Sequence, residues 1–210
     1  MALTSAKRKY ELLPMAKGSV QAIAFDLDGT LVDSKIDFTE LRRTLGLAPE
    51  DPILEVIDTW PESKRVWGHE IVHQFEVAGA EKSKIIEGVP ETLSFLNHRE
   101  IPFSIFTRNS RATAMQTLKM HGLTCDLVLT RNDAEPKPKP DGLHLIAKHF
   151  SITTSSLLFV GDYLYDLQAG LSAGAPTALF LPDPANVDFP TAGAVFCFQR
   201  YPELVSWLNL

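Results

Sequence analysis

Short apolar runs rich in β-branched and aromatic residues recur along this chain, at residues 20–25, 102–107, 126–130, 157–160, 177–181 and 194–198. Helical patterns lie between most of them. Residues 90–97 put Leu93 and Leu96 on one face, residues 111–121 put Met115 and Leu118 together before Gly122, and residues 143–150 repeat the habit. Strand and helix alternating in this way imply right-handed crossovers and a parallel sheet covered on both faces. The expected class is α/β, with a Rossmann-like three-layer core.

The first run ends in FDLDGTLVDS, residues 25–34, which places Asp26 and Asp28 where an apolar strand breaks at Gly29. A side chain at the carboxyl end of a central parallel strand faces the crevice where open α/β sheets bind ligands. Asp26 continues the strand, and Gly29 lets the backbone turn tightly and re-aim its neighbours. One carboxylate can then act as nucleophile while the other gives and takes a proton. A strand end followed by an Asx-type turn explains one Asp and the glycine, but not the second acid.

Composition excludes several classes. A formal net charge of −6 with no basic block argues against a nucleic-acid partner. No apolar run approaches the roughly 20 residues that span a bilayer, and residues 1–19 lack the apolar core of a signal peptide. A cytoplasmic protein without a membrane partner is expected. Cys125 and Cys197 lie in apolar, strand-like surroundings without paired spacing, and read as buried reduced thiols.

Residues 35–86 differ from the rest in offering helices without strands. Asp37 and Glu40 resemble a capping pair before Phe38, Leu41 and Leu45, with Gly46 as a stop. A second helix fits residues 52–59, and a third fits 61–77 with Trp67, Ile71 and Phe75 on one face; Trp60 and Trp67 read as core. The stretch reads as a small helical cap, residues 35–86, on a core made of residues 1–34 and 87–210.

Later strand ends carry further polar groups toward the same crevice. FSIFTRNS puts Thr107 at a strand end and Ser110 where it caps the next helix, an arrangement that suits a phosphate. EPKPKPDGL holds Lys137 on a stiff loop, with Lys139 as the competing candidate. LLFVGDYLYDLQAG places Asp162 after Gly161 and Asp166 one helical turn on. Carboxylate oxygens from two strand ends are what Mg²⁺ prefers.

In chain order and spacing these four runs resemble the haloacid dehalogenase superfamily, in its phosphoglycolate-phosphatase-like subgroup with a small helical cap. Its DxDGT motif is matched by Asp26, Asp28, Gly29 and Thr30, and its strand-end Thr or Ser by Thr107. Its Lys before Pro-x-Pro is matched by Lys137, Pro138 and Pro140, and its GDxxxD by Gly161, Asp162 and Asp166.

The resemblance implies an Mg²⁺-dependent phosphatase acting on a small phosphorylated metabolite. Asp26 would attack phosphorus and form an aspartyl-phosphate; Asp28 would protonate the leaving oxygen and then take a proton from water. The metal would be held by Asp26, the Asp28 carbonyl and Asp162, with Asp166 orienting that shell. Thr107 and Lys137 would bind phosphoryl oxygens. Arg108 and Asn109 follow Thr107, and Arg108 is a candidate fork for an anionic part of the substrate.

Other readings compete. A sugar phosphomutase keeps the same motifs. An acid at Asp28 disfavours dehalogenation, because a halide needs no proton. Phosphonate cleavage would need a cap lysine, with Lys64, Lys82 and Lys84 available. HEIVH, residues 69–73, matches the zinc-protease pattern through His69, Glu70 and His73. A non-catalytic regulator would have no need of both motif acids. Monomer and homodimer both stay open.

Overall fold

The computed structural model describes residues 19–209. The signal-peptide reading rests on residues that fall almost wholly outside that range. The first strand, β1 (Ala22–Phe25), is followed by β2 (Val32–Asp33), then by three helices, α1 (Phe38–Leu45), α2 (Ile53–Asp58) and α3 (Glu62–Lys82), and by β3 (Lys84–Ile85). Next come α4 (Val89–His98), β4 (Phe103–Phe106), α5 (Arg111–His121), β5 (Leu127–Leu129) and α6 (Asp141–His149). The chain continues through β6 (Leu157–Gly161), α7 (Leu164–Ala173), β7 (Thr177–Phe180), β8 (Phe196–Phe198) and α8 (Tyr201–Leu208).

Six strands form one parallel sheet in the order β5-β4-β1-β6-β7-β8. All six apolar runs became its strands. The chain builds outward from β1 through β4 to β5 and then resumes on the other side of β1 with β6. That reversal opens a crevice at the carboxyl ends of β1 and β6.

Alternation along β1 divides the core in two. Ile23 and Phe25 pack with Leu93 and Leu96 of α4, Leu118 of α5 and Leu204 of α8, while Ala22 and Ala24 face Leu143 and Ile146 of α6 and Ala169 of α7. Close packing on the alanine face requires glycine. A Cβ on Gly170 would lie 1.7 Å from the Thr177 hydroxyl of β7.

The three helices between β2 and β3 have their own apolar cluster of Leu41, Leu45, Ile53, Leu54, Ile57 and Val72. Helix α1 starts and ends as its residues dictate. Asp37 accepts from the Glu40 N–H at 2.9 Å, and Gly46 adopts a left-handed φ of 71°. Residues 35–86 also contribute a strand: β3 pairs antiparallel with β2, closing a two-stranded ribbon at the base of the helices.

Helix α3 runs to Lys82 rather than Val77. Gly79 sits inside it, where a Cβ would meet the Ser34 carbonyl at 2.8 Å and the Ile36 side chain at 2.5 Å. Glycine there permits a close approach rather than ending the helix.

Three expected core residues lie elsewhere. Trp67 is exposed and stacks on Trp60 with ring centroids 6.2 Å apart, because the buried stripe of α3 is Gly68, Val72, Glu76 and Gly79. Met115 is exposed beside a buried stripe of Ala114, Thr117 and Leu118. Cys197 is exposed on the edge strand β8, and Cys125 is only half-buried; both are free thiols.

Candidate functional site

Adjacent strands β1 and β6 are in register, Phe25 opposite Val160, so Asp26 and Asp162 emerge side by side at the point of reversal. The turn between them is tight. Gly29 has φ 80°, and a Cβ there would lie 2.2 Å from a carboxylate oxygen of Asp162, so glycine is required twice over. Thr30 donates its hydroxyl to Asp162 at 3.2 Å. Beneath the turn, the buried Tyr201 hydroxyl donates to the Thr30 carbonyl at 2.6 Å.

Lys137 lies at the centre of this cluster, 2% exposed, its ammonium 2.5 Å from Asp26 and 2.6 Å from Asp166. Lys139 is exposed. Asp166 is itself 2% exposed and accepts from the backbone N–H groups of Asp162 at 3.2 Å and Tyr163 at 3.0 Å. It therefore fixes both the ammonium and the loop that carries Asp162.

Carboxylate oxygens of Asp26, Asp162 and Asp166 fall within 4.8 Å of one another. Asp28 does not belong to this group. Its carboxylate accepts from the Asn109 amide at 2.6 Å and is hydrogen-bonded by Ser34. Thr107 is buried, and its hydroxyl oxygen accepts from the Asn109 N–H at 3.1 Å, which leaves the hydroxyl proton free to donate. Ser110 caps α5 as expected.

Burial dominates the electrostatics. It pushes Asp26 up to about 7 despite Lys137, with Asp166 and Asp28 adding to the rise. It pushes Asp28 up to about 6, against the hydrogen bonds from Ser34 and Asn109. It also raises Asp162 well above the usual carboxylate range. Burial opposes the charge on Lys137 too, but Asp166 and Asp26 outweigh it and hold the ammonium above its ordinary value. Three carboxylates with one ammonium make a site short of positive charge, and an all-oxygen donor set suits a hard divalent cation.

Above the cluster opens a cavity of about 540 Å³. Its floor includes Asp26, Asp28, Thr107, Lys137 and Asp162, and its roof carries Phe38, Leu41, Ile53, Leu54 and Val72 from the three helices. Arg108 crosses this space. Its guanidinium makes two bonds to Glu55 of α2, at 2.9 and 3.0 Å, and its centre lies 4.8 Å from the Tyr165 ring centroid. The fork read as a partner for substrate thus already holds a carboxylate of α2.

Several groups in or beside the cavity carry no sequence signal of their kind. Glu55 lies in a helix read without any functional residue, and Tyr165 in a segment read only for Asp162 and Asp166. Arg131, directly after Thr130 at the end of β5, pairs with Glu76 of α3. The strand-end rule points to Arg131, and Glu76 is betrayed only as an acid on the buried stripe of α3.

The HEIVH histidines stand apart. His69 binds Asp58 at 2.9 Å, Glu70 accepts from Gln74, and neither histidine belongs to the metal-competent group found among the described residues. Lys64 covers the Trp60 ring, and it, Lys82 and Lys84 lie outside the cavity lining. No helix among the described residues is long and apolar enough to cross a membrane.

Known proteins are similar to this chain in sequence and in fold. A phosphoglycolate phosphatase of Photobacterium profundum is 27% identical over 183 residues, covering 73% of this chain and 80% of its own. A crystal structure of a hydrolase from Pseudomonas syringae superposes with a TM-score of 0.74 at 22% identity, covering 90% of this chain and 97% of that one. A haloacid dehalogenase-like hydrolase domain-containing protein of Arabidopsis thaliana is 31% identical over 176 residues, 78% of this chain and 72% of its own. With a model described as haloacid dehalogenase-like hydrolase matching residues 20–174, strand-end acids included, the chain belongs to that family of hydrolases.

Proposed function

We propose that this hydrolase cleaves a small phosphate monoester through an aspartyl-phosphate on Asp26. The observation that carries the reading is the Lys137 ammonium bonded to both Asp26 and Asp166 at the point where the sheet reverses, beside Asp162. Such a cluster is costly to bury, and it opens onto a cavity of about 540 Å³, room for a small metabolite.

Asp26 attacks phosphorus in line, forming one P–O bond as the bond to the leaving oxygen breaks. Asp28 gives its proton to that oxygen, and its raised pKa of about 6 keeps a protonated fraction available near neutrality. Water then attacks the aspartyl-phosphate, Asp28 takes its proton, and phosphate leaves. Thr107 and Lys137 bind the remaining phosphoryl oxygens, and Asp166 keeps Lys137 and the Asp162 loop in place. Asp26, Asp162 and the Asp28 carbonyl would hold Mg²⁺, which when bound offsets repulsion between the carboxylates and the phosphate. Residues 35–86 act as the cap, with their apolar roof selecting the leaving group. A cytoplasmic location fits the two free thiols.

The test is a panel of phosphorylated metabolites assayed with Mg²⁺, with Asp26→Asn as blank. Release of inorganic phosphate separates a phosphatase from a phosphomutase. Asp28→Asn is expected to keep metal binding and lose turnover; unchanged phosphate release by that variant would remove its role.

A further inference from the structure

One buried ion pair outside the four motifs is bonded to the loop that carries Asn109. The Glu76 side chain is 7% exposed and that of Arg131 13%. Both guanidinium NH₂ groups donate to the Glu76 carboxylate. The same Arg131 side chain donates to the Arg108 carbonyl at 2.9 Å, and the Arg131 backbone N–H donates to the Asn109 carbonyl at 3.3 Å. From the other side Glu76 accepts from the Ser110 N–H and the Thr113 hydroxyl, each at 3.4 Å. Residues 108, 109 and 110 are thus each held at the backbone by one member of the pair.

What that loop presents to the cleft is the Asn109 amide, which donates to Asp28 at 2.6 Å. Asp28 sits at a turn and has no strand of its own to fix its side chain. Arg131 does not line the cavity; Glu76 does, but both its oxygens are bonded to Arg131 and one also to Ser110 and Thr113, so the pair acts through the loop. Desolvating an ion pair is a poor route to stability, because well-packed apolar residues often do as well. What apolar side chains cannot supply is the donor to the Arg108 carbonyl and the acceptor for the Ser110 N–H, the two bonds that brace the loop on either side of Asn109.

We propose that Glu76 and Arg131 are positioning residues for proton donation: they fix residues 108–110 so that Asn109 holds the Asp28 carboxyl toward the leaving oxygen. The proposal rests on Asp28 acting as the acid. It joins the cap to the chemistry, since Glu76 belongs to α3 and Arg131 to the core.

The test uses the dependence on the leaving group, which a merely structural role would not move. p-Nitrophenyl phosphate releases an anion that needs no proton; an alkyl phosphate releases an alkoxide that does. kcat/KM reads the steps up to departure of that group. Asp28→Asn provides the reference and is expected to lose far more on the alkyl ester than on the aryl one.

The double variant Glu76→Met/Arg131→Met removes the pair without leaving a lone buried charge, and a thermal melt checks that it folds. It is expected to lose about tenfold or more on the alkyl ester and to stay within about twofold on the aryl ester. Arg131→Lys keeps the charge but not the full set of bonds, and is expected to fall between wild type and the double variant; it carries the test if the double variant does not fold. Equal losses on both esters, or no loss, while Asp28→Asn discriminates would overturn the positioning role alone. An Asp28→Asn variant that loses equally on both esters would overturn the acid and, with it, this role.

Discussion

The core and the cap approach the same cleft by different means. Asp26, Thr107 and Asp162 sit at the ends of neighbouring parallel strands, and Lys137 and Asp166 are buried against them, each with more than one partner. The cap faces the cleft with Phe38, Leu41, Ile53, Leu54 and Val72, and two acids reach from it to core arginines, Glu55 to Arg108 and Glu76 to Arg131. The polar cluster is therefore over-determined by the sheet. The apolar residues that face the cleft from above stand on helices with a core of their own, tied to the sheet by those two ion pairs.

The largest effect should come from the core. Asp26→Asn is expected to lower steady-state phosphate release by at least about a thousandfold while leaving the circular dichroism spectrum unchanged. Retained activity would break the division between the two regions. Lys137→Met leaves Asp26 and Asp166 buried without their cation, and should cost about 3–5 kcal/mol in urea unfolding of the metal-free protein. Mg²⁺ should recover part of that loss by binding the folded state.

The raised acids also give the core a pH signature. Asp26 near 7 and Asp28 near 6 bind more protons when folded than when unfolded, where a carboxyl titrates near its ordinary value of about 3.9. Their contribution to stability is therefore greatest below that value and is lost as pH rises through about 6 to 7. In metal-free protein the urea midpoint should fall across that window, less steeply in Asp28→Asn. Stabilisation by Mg²⁺ should grow with pH over the same range, and an opposite slope would contradict the burial of these groups.

Smaller effects belong to the cap. Glu55→Gln releases Arg108 and should lower KM several-fold for esters bearing a second anion, with kcat little changed; Arg108→Ala should raise KM for the same esters. The pair is part-exposed, so both variants should change stability by no more than about 1 kcal/mol. Equal changes on anionic and neutral esters would show that Arg108 serves only to tie α2 to the core.

Legibility in the sequence followed the same division. The six sheet strands could be read because each is a short apolar run, and their ends carried Asp26, Asp28, Thr107 and Asp162 toward one crevice by a rule of topology, whereas Lys137 was separated from Lys139 only by its resemblance to a family motif. The capping of α1 was equally plain, since Asp37 and Gly46 act locally. Pairings such as Glu76 with Arg131, or Tyr201 with the Thr30 carbonyl, join residues far apart in the chain and leave no local pattern. Helix faces misled where the buried stripe is made of small residues: Gly68 and Gly79 let α3 pack closely and turned Trp67 outward. On β8 the outer edge of the sheet exposes Cys197, which an apolar run alone does not reveal.

The central claim is that Asp26 is the nucleophile, and the most direct measurement is to trap the phosphoenzyme. Protein turning over a substrate with Mg²⁺ is quenched in acid, digested and analysed by mass spectrometry. A hydroxylamine-labile phosphoryl group is expected on the peptide that contains Asp26, present in Asp28→Asn and absent in Asp26→Asn. Normal turnover with the phosphoryl group on another residue, or with none on that peptide at any quench time, would contradict it.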